Sequence, residues 1–244
     1  MERLRFGLAT FLAWAMLIAR VEAVDSASKD CMAADADRSI TGCTAVLRRS
    51  KETRSNRAKA LYNRGIALRD KGDLDRALVD FNEAIQLNPK DANAFNNRGI
   101  THRDKGDLDR ALSDFNEAIR LSPKHANAFY NRGNTYGQKG ELDRAIADYD
   151  RTLRLNPKNA NAFYNRGITY RDKGDLDRAL ADFNAAIRLS PTDPDGYFGR
   201  RSVHERNRDY EAALVDYETA LKINARHVNA LKGSDRVRAL VQQR

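Results

Sequence analysis

The stretch NRGITYRDKGDLDRA runs from Asn165 to Ala179, and sixty-eight residues earlier, from Asn97 to Ala111, the chain reads NRGITHRDKGDLDRA. One residue differs, Tyr170 against His102. Half of that interval is 34 residues, and the half-interval organises most of the chain. NRG recurs at Asn63, Asn97, Asn131 and Asn165; DLDRAL or ELDRAI follows at Asp73, Asp107, Glu141 and Asp175; NP or SP closes at Pro89, Pro123, Pro157 and Pro191. An eroded fifth copy stays in register, with Gly199-Arg200-Arg201 and then Asp209 to Leu214. A fixed period of this length marks an array of stacked repeats.

Composition agrees with an ordered but thin core. The 244 residues are 41% hydrophobic and 32% charged, and four of the five prolines sit at repeat junctions, which excludes a collagenous or proline-rich class. Each repeat reads as two helices. Phe163, Arg166, Gly167 and Tyr170 fall on one helical face. Gly174 suits a left-handed helix end, and Asp175 can cap the next helix with its carboxylate. Leu176, Ala179, Leu180, Phe183, Ala186 and Ile187 form the second helix's buried stripe, and Pro191 stops it. Small Gly167, Ala179 and Ala186 let two helices approach around Phe183. One hairpin cannot bury such faces alone, so the neighbours supply the core.

These residues resemble the tetratricopeptide repeat. Its pattern of a bulky residue, Leu-Gly, Tyr, Ala, an aromatic, Ala and Pro is met in the fourth copy by Phe163, Arg166-Gly167, Tyr170, Ala179, Phe183, Ala186 and Pro191. The resemblance covers roughly 58–225 and implies an all-α fold, a right-handed superhelical stack of antiparallel helix pairs. Five repeats are expected at 58–91, 92–125, 126–159, 160–193 and 194–227, with a capping helix over 228–244. Thr152, Arg201 and Ala225 depart from the pattern at the second alanine, the glycine and the proline.

Arginine stands where the family has leucine, at Arg64, Arg98, Arg132, Arg166 and Arg200. Sixteen residues on there is always an aspartate: Asp80, Asp114, Asp148, Asp182 and Asp216. A charge on a packed face needs a partner, and the hairpin brings these positions opposite each other, so five internal ion pairs are expected. The alternative is that the arginines reach a binding surface.

The ends differ from the repeats. Arg3 and Arg5, an uncharged run from Phe6 to Ala19, and Val21-Glu22-Ala23 read as a signal peptide over 1–23, with a membrane anchor as the alternative. Export to a periplasm or beyond is the expectation, of a bacterial exported type. Cys31 and Cys43 are the two cysteines, and in an oxidising compartment a close pair is most simply a disulfide. The absence of CxxC and of nearby histidines argues against a metal or redox role. Asp35 to Leu47 imitates Asp73 to Ile85, with Cys43 in the place of Phe81, so 24–57 reads as a disulfide-closed half-repeat.

In tetratricopeptide arrays the first helices line a groove, which here would hold Asn63, Asn97, Asn131 and Asn165. A carboxamide donates and accepts at once, which suits a peptide backbone; bonding between helices is the other reading. Tyr62, Tyr130 and Tyr164 stand beside this ladder as aromatic anchors, in a column with Asn96 and Phe198. Arg69, Arg103 and Arg171 lie farther along. In the third repeat Gly137-Gln138 replaces Arg-Asp and Asn134 replaces isoleucine, marking a candidate specificity spot. The carboxylate clamp of chaperone-binding relatives is missing, since Tyr and Asn occupy its positions.

No catalytic, cofactor or metal motif appears. His102, His125, His204 and His227 are scattered, and there is no phosphate loop, dinucleotide fingerprint or nucleophile elbow. The net charge is +9, and removing 1–23, with three Arg and two Glu, leaves +8. Basic chains attract polyanions, so an anionic envelope surface competes with protein or peptide segments as the partner, while export disfavours nucleic acid. A passive assembly scaffold is a third possibility. Partner identity and oligomeric state are not encoded in any motif.

Overall fold

A helix leaves its first amide hydrogens without internal acceptors, and this chain sets a side-chain acceptor at nearly every helix start. Asp35, Asp73, Asp107, Asp175 and Asp209 each accept from the backbone N–H three residues on, at 2.8 to 3.3 Å. Those aspartates open the second helices. The first helices are opened by Asp91, Asn159, Asp193 and the Nδ1 of His125. Between the helices of a repeat the chain turns through a left-handed residue, such as Gly174 at φ 88°. The fifth repeat makes the same turn with Arg208 at φ 59°, a conformation disfavoured for a residue with a Cβ.

The computed structural model describes residues 26–224 and 228–242. The expected signal segment 1–23, Ala225 and His227 lie outside them. Two bodies are distinguished, residues 1–121 and 122–244. The first contains a helical turn at 26–30, α1 (Ala36–Leu47), α2 (Arg54–Asp70), α3 (Leu74–Leu87), α4 (Ala92–Asp104) and α5 (Leu108–Leu121). The second contains α6 (Ala126–Gln138), α7 (Leu142–Leu155), α8 (Ala160–Lys173), α9 (Leu176–Leu189), α10 (Pro194–Arg206), α11 (Tyr210–Ile223) and α12 (Val228–Gln242). Every described element is helical, and within each body successive helices pack as hairpins on their neighbours.

Aromatic side chains fill the hairpins where glycine leaves room. Phe81 and Phe183 are fully buried. A Cβ on Gly65 would stand 2.8 Å from the Phe81 ring, and one on Gly199 only 2.2 Å from Phe183. Gly199 therefore admits the aromatic of the preceding repeat. Thr152, the departure from alanine, is fully buried with its hydroxyl donating to Asp148 O at 2.9 Å.

Each hairpin is crossed by a two-pronged Arg–Asp pair. Arg64–Asp80, Arg98–Asp114, Arg132–Asp148, Arg166–Asp182 and Arg200–Asp216 each make two N–H to carboxylate bonds of 2.6 to 3.0 Å. In four of the five pairs the remaining guanidinium nitrogen reaches the preceding second helix. It donates to Thr44 from Arg64 (3.1 Å), to Asn82 from Arg98 (2.8 Å), to Asp150 from Arg166 (2.5 Å) and to Asn184 from Arg200 (2.6 Å). Aromatic rings flank the same cations, Phe95 at 5.4 Å from Arg98 and Phe163 at 5.5 Å from Arg166. Burial opposes the Arg166 charge, but its bonds to Asp182 and Asp150 outweigh it and hold its pKa above the ordinary arginine value. Burial also pushes the Asp182 carboxyl up while Arg166 pulls it down; with two short bonds in place, we take the pair as charged.

The N-terminal half-repeat is assembled by the same devices plus one covalent link. Cys31 and Cys43 form a disulfide. Gly42 lets the 30–31 backbone lie against α1, since a Cβ there would meet Cys31 N at 2.5 Å. Ser39 Oγ donates to Cys31 O at 3.2 Å, and Arg38 pairs with Asp30 at 2.6 Å. Lys71 binds Asp37 as Lys105 binds Asp75 and Lys173 binds Asp143, so α1 is held to the first full repeat by the contact used between later ones.

Two outcomes are expected. Asp182→Ala leaves the Arg166 guanidinium without its main buried partner and should cost about 3–5 kcal/mol in urea unfolding; a loss below about 1 kcal/mol would mean the pair is not needed. The second concerns the residue that separates the two quoted copies. Burial pushes the His102 imidazole below its ordinary 6.5, against the opposing pull of Asp114 at 4.0 Å and of Asp107, with Arg98 and Arg110 adding to the depression. The unfolded imidazole then takes up its proton first, so stability falls as pH drops below about 6.5 and levels off below the folded value. In His102→Tyr, the residue the fourth repeat uses, that part of the pH dependence should disappear from the melting curves.

Candidate functional site

The first helices carry the predicted ladder, and the repeat's local chemistry orients it. Thr101 and Thr169 hydroxyls donate back to Asn97 O (2.8 Å) and Asn165 O (2.7 Å), one turn earlier. The carboxamides of those asparagines reach across to the preceding first helix. In the first body Asn97 Nδ2 donates to the Tyr62 hydroxyl at 3.0 Å, and Asn97 Oδ1 accepts from Arg69 at 2.8 Å. In the second body Asn165 Nδ2 donates to the Tyr130 hydroxyl at 2.9 Å and to Asn134 Oδ1 at 3.0 Å. Both side chains are thus joints to the preceding repeat. Asn131 is buried, its backbone carbonyl accepting from Thr135 at 2.8 Å.

The tyrosines are half-buried between the helices. Tyr62 packs edge-on to Phe81 with ring centres 6.2 Å apart, and Tyr164 lies 5.8 Å from Phe183. Burial, and then nearby Asp91 for Tyr62 and Asp195 for Tyr164, push both phenols above their ordinary value, so they remain protonated. Asn134 accepts from the Tyr149 hydroxyl at 2.8 Å as well as from Asn165, so its carboxamide oxygen is engaged within the stack. Arg171 reaches Ser202 at 3.2 Å and pairs with Asp172, while Arg103 pairs with Asp104 at 3.3 Å.

Asn63 is different. No hydrogen bond forms at its carboxamide among the described residues. It lines two open spaces in the first body, of about 520 and 250 Å³, which share Asn63, Cys31 and Met32. The larger is floored by Val46 and Ala60 and rimmed by Tyr62, Lys59 and Asp91. Sequence reading named Asn63 as a member of the ladder but did not foresee the space beside it. Among the described residues no cluster of ligating side chains suits a metal ion, and no helix is long and apolar enough to cross a membrane.

Hairpins stacked at a 34-residue period define a helical repeat protein, and sequence comparison names the repeat. Models described as "Tetratricopeptide repeat" match residues 58–91, 81–113 and 130–194, and one described as "TPR repeat" matches 101–140. The chain belongs to the tetratricopeptide repeat family, and its fold is the all-α solenoid of that family. Among curated proteins none matches it. Among solved structures it is similar to YrrB, "a TPR protein with an unusual peptide-binding site" (23% identity, TM-score 0.62, 80% of this chain and 99% of that one). It is also similar to MamA from Desulfovibrio magneticus RS-1 (20%, 0.65, 72% and 99%) and to PilF of Pseudomonas aeruginosa (17%, 0.71, 78% and 86%). At these identities the likeness is one of fold.

A double-mutant cycle separates joints from open positions. Asn97→Ala and Tyr62→Phe should each destabilise the chain and couple by about 1 kcal/mol in urea unfolding. Asn63→Ala should change stability by less than about 0.5 kcal/mol, because no bond is lost.

Proposed function

We propose that this chain is an exported, non-catalytic scaffold that holds a peptide or protein segment against the face of its first helices. The observation that carries this reading is the open space beside Asn63, where a carboxamide able to donate and accept adjoins an apolar floor. Such a mixture of apolar lining and few convergent polar groups is the ordinary make-up of a binding site. Membership of a family built for protein contacts supports it, as does the peptide-binding site named for YrrB. Export is supported by the signal-like residues 1–23 and by the Cys31–Cys43 disulfide, a bond that persists in oxidising compartments. No cofactor, metal or nucleic acid enters the proposal.

The rival is adhesion through net positive charge to an anionic envelope surface. Panning a random-peptide display library against the full chain separates the two. Selected peptides should bind the chain equally at about 0.05 and 0.5 M NaCl and lose at least about tenfold in affinity for Ile66→Glu, which puts a carboxylate in the second space. Circular dichroism verifies that the variant is folded. Binding that ignores Ile66→Glu and collapses with salt would replace the groove reading by the charge reading.

A further inference from the structure

Inside the array, the carboxamide of a ladder asparagine meets a tyrosine hydroxyl from the preceding repeat. The geometry repeats in both bodies, Asn97 to Tyr62 at 3.0 Å and Asn165 to Tyr130 at 2.9 Å. Asn63 belongs to the first full repeat, and what precedes it is a half-repeat. Thirty-five residues before Asn63, at the spacing that separates Tyr62 from Asn97 and Tyr130 from Asn165, stands Ser28, followed by the disulfide. Ser28, Cys31 and Met32 line the space there, and none of them offers a ring or a phenol.

We propose that the space beside Asn63 receives a tyrosine side chain carried by a segment of a partner protein, whose phenol oxygen accepts the bond from Asn63 Nδ2. The inference rests on the groove reading and names the side chain that the groove selects.

Volume, lining and bonding all agree with that occupant. About 520 Å³ lies within the range of ligand pockets and admits an aromatic ring with part of the backbone bearing it. Val46 and Ala60 are buried and apolar at its floor. Met32 is 71% exposed at its edge, the highest exposure among the large apolar side chains described, and sulfur packs well against ring edges. Asn63 Oδ1 remains to accept a backbone N–H of the segment, as Asn97 Oδ1 accepts from Arg69. A phenylalanine would fill the apolar part and leave Asn63 Nδ2 without its acceptor, which is the basis for discrimination.

N-acetyltyrosinamide supplies the phenol and one backbone amide, and N-acetylphenylalaninamide supplies all but the hydroxyl. Each is titrated into the full chain, labelled for NMR, to about 20 mM, enough to saturate a millimolar site. The expected result is a shift of the Asn63 side-chain amide with the tyrosine probe, and roughly fivefold weaker binding of the phenylalanine probe. Asn63→Ala should abolish that difference while leaving the helical signal intact. No shift at Asn63, or equal affinity for the two probes, overturns the proposal. A shift produced by raising the concentration of the chain alone also overturns it, by assigning the ring to a second copy. If library peptides still depend on Ile66 while the probes leave Asn63 untouched, the groove reading stands and only the tyrosine assignment falls.

Discussion

An arginine buried in the middle of a helical hairpin must find its hydrogen-bond partners within the fold, and the rest of this array is arranged around that requirement. The partnering aspartates expose only 2–7% of their side chains. Two guanidinium nitrogens are taken by the aspartate of the same hairpin, and in Arg64, Arg98, Arg166 and Arg200 a third points at the second helix before it. A leucine at this position would pack against several registers of its neighbour with little difference in energy. A planar fork of donors accepts one, because a slip of a single residue moves the oxygen out of reach. The stacking surface is therefore directional. Buried ion pairs contribute little net stability compared with apolar contacts of equal size, so fixing how one hairpin sits on another is the more plausible gain.

The array's own ends show the same logic under relaxation. At the start, Thr44 takes the place of Asn82 as acceptor for the guanidinium of the next repeat, so α1 presents a correct docking face. The disulfide and Gly42 hold the 30–31 backbone close against α1. At the other end the fifth repeat keeps its Arg200–Asp216 pair but loses the pattern glycine. Arg201 stands there with its guanidinium 4.8 Å from the Tyr217 ring, bonded to Glu205. Gly233 of α12 then provides the close approach, a Cβ there falling 2.1 Å from the Tyr217 hydroxyl.

Much of this was legible in one sequence because a repeat states each local rule five times. The helix pairs, the turn at Gly174, the aspartate caps and the sixteen-residue Arg–Asp spacing all depend on residues within a single hairpin. Bonds that cross from one repeat to the next were less accessible. Whether Asn97 faces a ligand or Tyr62 depends on what the preceding first helix places opposite, and a carboxamide suits either. The third repeat did carry a readable sign. Isoleucine becomes Asn134 in the same repeat where phenylalanine becomes Tyr149, and the two new polar groups bond to each other at 2.8 Å. Read singly, Asn134 marks a polar spot in a groove; read as a pair, the substitutions mark an internal joint. The cap at His125 was hidden for a similar reason, since histidine is an uncommon capping residue and only its backbone setting reveals the role.

The internal joints also bear on where such a protein can bind. An interaction that closes one repeat on the next uses up the groups it employs, so Asn97 and Asn165 are committed, and mutating them disturbs the stack before it disturbs any ligand. At Asn63 the residue thirty-five positions earlier is Ser28 instead of a tyrosine. Asn63 therefore presents to a partner the chemistry that its equivalents present to Tyr62 and Tyr130. Cys31 lines the space beside Asn63, so the Cys31–Cys43 bridge fixes one of its walls and ties its shape to the fold of α1.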